Sequence, residues 1–285
     1  METTIKVEKL CSINGLNECM GITFDKKTGA IYFAANGKYI YKVDASASLE
    51  PVLIADIKEA VDGWNDNFGD VYIHEIKFGA DGLLYAAAEK CILKIDPENG
   101  EYSNLIEGDF SGNWGAYGIS LDNSGNIYVG DHAGGIQLFL KDQNWKKHTI
   151  IGRDKNNPKS ESFGGIALKE NTIFYLDFEN SLLKTASCQW SANIPEVLKI
   201  NELHTGLNYP EFLQLWNGDI FVKAARGENI LQRIRSNKVV EKYHLECNED
   251  MAPIVTFHLE ALDDKNALFY GASWSGTLYR GKLTR

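Results

Sequence analysis

The chain predicts an all-β protein, a six-bladed β-propeller built from four-stranded antiparallel blades, and two observations carry that expectation. The first is a phrase that returns six times: an apolar alternation, a turn rich in Asp, Asn, Lys and Gly, then a second strand reading like Ile-Tyr-Phe. Its copies are Gly21-Ile22-Thr23-Phe24 with Ile31-Tyr32-Phe33, Glu75-Ile76-Lys77-Phe78 with Leu84-Tyr85-Ala86, and Gly118-Ile119-Ser120-Leu121 with Ile127-Tyr128-Val129. Three more begin at Gly165-Ile166-Ala167-Leu168, Phe212-Leu213-Gln214-Leu215 and Leu259-Glu260-Ala261-Leu262. With Phe24, Phe78, Leu121, Leu168, Leu215 and Leu262 taken as equivalent, the period is roughly 40–50 residues, the spacing of propeller blades. The second observation is the chain's two ends. The last repeat stops after three strands, at Thr277-Leu278-Tyr279-Arg280-Gly281-Lys282, whereas an unassigned alternation, Thr4-Ile5-Lys6-Val7-Glu8-Lys9-Leu10, precedes the first. An N-terminal strand over about 4–10 is therefore expected to close blade six and remove a free sheet edge.

Each blade reads as strands A to D from the channel outward. In blade one, A falls at about 20–25, B at about 30–35, C at about 39–44 and D at about 51–55. The A–B turns carry Lys27-Thr28-Gly29, Ala80-Asp81-Gly82, Asn123-Ser124-Gly125 and Asn217-Gly218, the residue types that tight hairpins require. Segments 56–73, 108–116, 152–163, 200–210 and 246–254 lead from an outer D strand to the next inner A strand and are far longer. Long loops gathered on one face mark the functional face. The B–C turns emerge there too, with Asn36, Glu89, Asp131 and His132, Asp177, Lys223 and Arg226, and Trp274. The repeats fill residues 1–285 without a linker, so one domain is expected.

Composition narrows the partners. The net charge of −10 opposes binding to a phosphate backbone, which needs a basic surface to displace counterions, so nucleic acid is not an expected partner. No segment is apolar and long enough to span a bilayer, and the start at Met1-Glu2-Thr3-Thr4-Ile5-Lys6-Val7 lacks the pattern of a secretory signal. Read as the native start, it places the protein in the cytoplasm, away from membranes. Cys11, Cys19, Cys91, Cys188 and Cys247 are odd in number and show no Cys-x-x-Cys pair, as expected of reduced, mostly packed thiols.

A propeller gathers equivalent residues of every blade around one channel. The residues four positions before the equivalent apolar ones are Met20, His74, Tyr117, Gly164, Glu211 and His258. Glu, His and Tyr are side chains that exchange protons when burial tunes them, so Glu211, His74, His258 and Tyr117 are the catalytic candidates. Met20, Gly164 and the aromatics Phe163, Tyr209, Phe257 and Trp274 are expected to shape a pocket for a small-molecule substrate, with Asp131 and His132 at its rim. Trp64-Asn65-Asp66-Asn67, in the longest connection, reads as a polar turn or a ligand cap. No Gly-x-x-x-x-Gly-Lys, His-Glu-x-x-His or EF-hand pattern occurs, and no cofactor is expected.

The phrase Met20-Gly-Ile-Thr-Phe-Asp25 with Gly29-Ala-Ile-Tyr-Phe33, repeated as Tyr117-Gly-Ile-Ser-Leu-Asp122 with Gly125-Asn-Ile-Tyr-Val129, resembles the six-bladed superfamily of senescence marker protein/gluconolactonase and strictosidine synthase-like proteins. The resemblance extends over all the repeats. In the lactonase group a divalent cation is held by a Glu, two Asn and an Asp that open strand A of blades one, three, four and five. Those places hold Met20, Tyr117, Gly164 and Glu211 here, with Glu18 near the first. Hard cations take several oxygen ligands, so no metal is expected. The strictosidine synthases dispense with the metal and use a pocket carboxylate as acid/base. By that resemblance the expected function is a metal-independent cyclase, isomerase or lyase of specialised metabolism, with Glu211 as acid/base, His74 or His258 as proton partner and Tyr117 as hydrogen-bond donor. A metal-dependent hydrolase of lactones or esters and a non-catalytic binding propeller stand as alternatives.

Overall fold

The chain opens with β1 (Glu2–Ser12), and the four strands that follow, β2 (Met20–Asp25), β3 (Ala30–Ala35), β4 (Tyr39–Asp44) and β5 (Ser48–Asp56), form one antiparallel sheet in that order. A second sheet holds β6 (Glu75–Phe78), β7 (Leu84–Ala88), β8 (Cys91–Ile95) and β9 (Tyr102–Glu107), and a third β10 (Ala116–Leu121), β11 (Ile127–Asp131), β12 (Gly135–Leu140) and β13 (Lys146–Gly152). The fourth consists of β14 (Phe163–Lys169), β15 (Thr172–Asp177), β16 (Leu182–Ser191) and β17 (Ile194–Thr205). The remaining strands are β18 (Phe212–Trp216), β19 (Asp219–Lys223), β20 (Ile230–Arg235), β21 (Lys238–Glu246), β22 (Ile254–Ala261), β23 (Asn266–Ser273) and β24 (Thr277–Thr284). Together with β1 they form an eight-stranded sheet in the order β18-β19-β20-β21-β1-β24-β23-β22. This computed structural model describes residues 2–12, 15–16, 19–44, 48–57, 72–108, 110–111, 114–153, 161–191, 194–223, 227–236 and 238–285.

The hairpins follow from their turn chemistry. Asp25 accepts from the backbone N–H of Lys27 at 2.9 Å and from the Thr28 hydroxyl at 2.6 Å, and Gly29 supplies the positive φ that ends the turn. Asp122 does the same for Ser124 and Asn126, and Asp263 for Lys265 and Asn266. An Asp side chain that bonds backbone two or more residues on is the local device that fixes such a turn.

Between neighbouring sheets the alternating apolar residues bury in layers. Tyr32 and Ala34 meet Ile76, Ala86 and Leu93; Tyr85 and Ala87 meet Ile119 and Val129; Tyr128 meets Ile166 and Tyr175. Leu176 and Leu183 meet Leu213 and Val222. The eight-stranded sheet folds on itself, with Phe221, Leu231 and Tyr243 against Leu259 and Phe269. Finally Tyr270, Ala272 and Leu278 pack on Ile22, Ile31 and Phe33, so the last strands return to the first sheet. The first strands β2, β6, β10, β14, β18 and β22 accordingly pack one against the next in a closed cycle around a common axis. Glycine makes the closest of these approaches possible: a Cβ on Gly118 or Gly130 would lie 2.4 Å from the Gly164 carbonyl oxygen.

β1 changes partner along its length. Glu2–Lys6 runs parallel to Lys242–Glu246 of β21, whereas Val7–Ser12 runs antiparallel to Thr277–Gly281 of β24, with a bulge between Lys9 and Cys11. A bulge lets one strand serve two differently directed neighbours.

Candidate functional site

The long connections and the turns between second and third strands are knitted together at one end of the molecule. Ile73 N–H donates to the Gly37 carbonyl at 2.9 Å, Ala116 to Glu89 at 2.6 Å, Phe163 to His132 at 3.3 Å and Phe178 to Ser162 at 2.8 Å. The inner strands begin at this end.

His74 lies just before β6, where its N–H donates to the Ala87 carbonyl at 2.8 Å. Its imidazole is buried and stacks on Tyr117 with ring centroids 4.3 Å apart, and its Nε2 stands 3.4 Å from Glu89 Oε1. Glu89 is itself buried, and it adopts φ 44°, a left-handed conformation that costs a non-glycine residue roughly 1–2 kcal/mol. Strain of this kind persists only where the surroundings impose it, and it gathers at functional sites. Glu211 follows Pro210 at the entry to β18; it is buried, and its backbone carbonyl accepts from Gly165 N–H at 3.0 Å. The neighbouring Lys223 ends β19 and is also buried, with Nζ donating to the Glu228 carbonyl at 2.7 Å. Burial pushes the Lys223 amine down to about 8, against the opposing pull of Glu211 and Glu228.

Aromatic rings surround these groups. Trp114 lies 4.8 Å from His132 and 5.8 Å from Phe178, Phe178 lies 5.4 Å from Tyr209, and Tyr117 lies 6.2 Å from Phe212. Tyr209 is exposed with φ 46°, so the cluster grades from a buried floor of Met20, Tyr117 and Phe212 to a solvent-facing rim. Burial drives His132 below its ordinary pKa and favours the neutral imidazole. The arrangement offers a carboxylate, an amine, an imidazole–carboxylate pair and a phenol to a molecule held among rings.

No protein-family model matches the chain, and no curated protein matches it by sequence. Solved structures do. A gluconolactonase from Xanthomonas campestris is similar with a TM-score of 0.68 at 10% identity, covering 94% of this chain and 86% of that one. A luciferin-regenerating enzyme gives 0.68 at 14%, over 97% and 95% of the two chains. Regucalcin, a calcium-binding protein from Agrobacterium tumefaciens, gives 0.66 at 12%, over 100% and 98%. The chain is a β-propeller. Its fold is that of the gluconolactonase and regucalcin propellers, and at these identities the likeness concerns the fold alone.

Within the propeller, strand register corrects several of the expected site residues. His258 is not at the mouth. Leu262, taken as the counterpart of Phe24, lies past the end of β22 and is exposed, while Leu259 is the buried residue that pairs with Phe269. Thr256, opposite Ala272 as Met20 is opposite Ala34, takes the mouth position instead. His258 stacks on Phe24 at 6.3 Å with Nε2 3.6 Å from Glu260, deeper in the channel, where burial also lowers its pKa. Phe163 stacks on Tyr175 at 5.6 Å between sheets, and Phe257 stacks on Phe269 at 6.4 Å in the same buried cluster as Met20, Tyr117 and Phe212. β14 starts with a register shift between Phe163 and Ile166, and Phe257 alternates away from Thr256.

Asp131 is fully buried, both of its carboxylate oxygens lie 3.0 Å from Ser111 N, and burial raises its pKa. It pins the incoming connection at Ser111. Gly164 contributes its backbone, close to Gly118 and Gly130. Trp274 is exposed at the last B–C turn. Trp64–Asn67, Glu18 and Arg226 lie outside the described residues. Glu89, Trp114, Phe178, Lys223 and Thr256 join the site from structure. A signal for two of them was present, because the residue opening a first strand faces the residue ending the second strand of the same hairpin, as His74 faces Glu89 and Glu211 neighbours Lys223.

The cation set implied by resemblance does not fit. Its four places hold Met20, Tyr117, Gly164 and Glu211, and a hard cation seeks six or more oxygens. Among the described residues no three of His, Cys, Asp and Glu are grouped to hold a metal ion.

Proposed function

We propose that the protein is a small-molecule enzyme, a single six-bladed propeller that carries out acid–base chemistry at its channel mouth without a divalent cation. The eight-stranded sheet is read as two blades, β18–β21 and β22–β24 with β1, the Val7–Ser12 half of β1 serving as the fourth strand of blade six. Deleting residues 2–12 is expected to expose the β24 edge and give an aggregating or unfolded chain; a monomeric product with an unchanged Tm would remove this closure.

The observation that carries the enzymatic reading is the buried His74–Glu89 pair stacked under Tyr117, in the same mouth as Glu211. Glu211 serves as acid/base, His74 held by Glu89 as its proton partner, and the Tyr117 hydroxyl as donor to a carbonyl or developing oxyanion. This chemistry suits cyclisation, isomerisation or elimination. Five cysteines without a disulfide support a reducing compartment such as the cytoplasm.

A second reading, lactone or ester hydrolysis, is favoured by the similarity to a gluconolactonase. Incubation with panels of lactones, esters and unsaturated carbonyl compounds, read by mass spectrometry with and without EDTA, separates the two. An isomerase or cyclase leaves the substrate mass unchanged, a lyase splits it and a hydrolase adds one water. Turnover that persists in EDTA is expected; hydrolysis abolished by the chelator and restored by a divalent metal would promote the second reading.

A further inference from the structure

The backbone of Lys223 pairs with that of Phe212, the residue after Glu211, and the Glu211 carboxylate acts on the Lys223 amine electrostatically. Lys223 is only 5% exposed, and burying an alkylammonium group is costly. A lysine whose sole task was to neutralise Glu211 could do so from the rim. Phe212 and Tyr117 lie 6.2 Å apart beside it and provide an apolar floor. We propose that Lys223 captures a carbonyl substrate as an imine, with Glu211 moving the protons. This rests on the acid–base reading of the mouth and narrows its substrate to an aldehyde or ketone carrying an apolar, preferably aromatic, group.

The chemistry balances without a further reagent. The Nζ lone pair attacks the carbonyl carbon and the C=O π pair passes to oxygen, giving a zwitterion. Glu211 accepts a proton from nitrogen and delivers it to the alkoxide, giving a neutral carbinolamine. A second transfer by Glu211, from the remaining N–H to the hydroxyl, lets the nitrogen lone pair form the C=N bond as water leaves, so both amine protons end on oxygen and amine and carbonyl become imine and one water. The depressed pKa of Lys223 supports the role, because it leaves a useful fraction of neutral amine near pH 7.

The test uses the full-length protein, benzaldehyde and sodium cyanoborohydride at pH 7; the borohydride delivers hydride to the imine carbon and fixes the adduct. Peptide mass spectrometry over time then compares Lys223 with Lys6 and Lys26, whose side chains are 74% and 75% exposed. Lys223 is expected to be benzylated roughly 10–100-fold faster than either. Glu211→Gln should slow labelling at Lys223 and leave Lys6 unchanged. Labelling of Lys223 at the rate of Lys6 or below would overturn the proposal, and this wild-type comparison does not depend on any variant folding. Turnover that survives Lys223→Arg but is lost in Glu211→Gln would overturn the imine while keeping the acid–base reading.

Discussion

The mouth of the channel and the wall below it use similar side chains in opposite ways. In the wall, charges are matched at short range: Glu75 accepts from Ile119 N–H at 2.8 Å and pairs with Lys77 at 2.6 Å, and Glu260 pairs with Lys26 at 2.9 Å. Gln214 bonds the Leu259 backbone twice, both at 2.7 Å. At the mouth the charged groups stand among rings, and buried His74 Nδ1 and His132 Nε2 have no hydrogen-bond partner among the described residues. Away from the mouth, His258 Nε2, 3.6 Å from Glu260, and the Tyr128 and Tyr175 hydroxyls between sheets are also unmatched among the described residues. Buried polar atoms are matched in the great majority of cases, so a cluster of unmatched ones marks a place shaped for something other than stability. The wall holds the inner strands together; the mouth sets imidazole nitrogens among aromatic rings.

The largest expected effect separates the two regions. Glu211→Gln keeps the shape of the side chain and removes its titration, so turnover should fall roughly 10²–10⁴-fold, the range for a general acid–base group. Its Tm should stay near the wild-type value. Near-full turnover in this variant, with loss in His132→Ala, would move the chemistry to the B–C turns.

Glu75→Ala inverts the expectation. It leaves the Ile119 N–H buried without its acceptor and Lys77 without its partner, which should cost about 1–3 kcal/mol of stability by urea titration. Catalysis per folded molecule should not change. A selective loss of turnover at unchanged stability would erase the distinction between wall and mouth.

The fold was legible because each hairpin carries its own evidence. Asp25, Asp122 and Asp263 fix turns that their sequence already describes, and the alternation on either side decides which face is buried. The site was legible only as far as the register could be counted. Met20, His74, Tyr117 and Glu211 stand within one residue of the start of their first strands. In the last repeat Leu262 lies past the end of β22 and the counterpart of Phe24 is Leu259, so counting back from Leu262 reaches His258 rather than Thr256. Asp131 shows another limit. Its residue type suggests chemistry, yet its oxygens turn onto the backbone of Ser111 across the loop, a contact between segments that composition does not reveal.

The smallest effect concerns pH and two half-buried imidazoles, one in each region. Burial holds both His132 and His258 below the ordinary value of 6.5. Between the folded pKa and 6.5 the unfolded chain binds more protons than the folded one, so stability rises with pH through that window and is lost as the solution is acidified across it. His132→Phe, which keeps a ring beside Trp114, should remove part of this slope, as should replacing His258 by Phe beside Phe24. Urea titrations from pH 5 to 7 on each variant read the change directly. The two should part company in turnover, because only His132 stands at the mouth with Tyr117 and Phe178. Equal activity losses in both variants, normalised to folded protein, would mean that the channel acts as one site along its whole length.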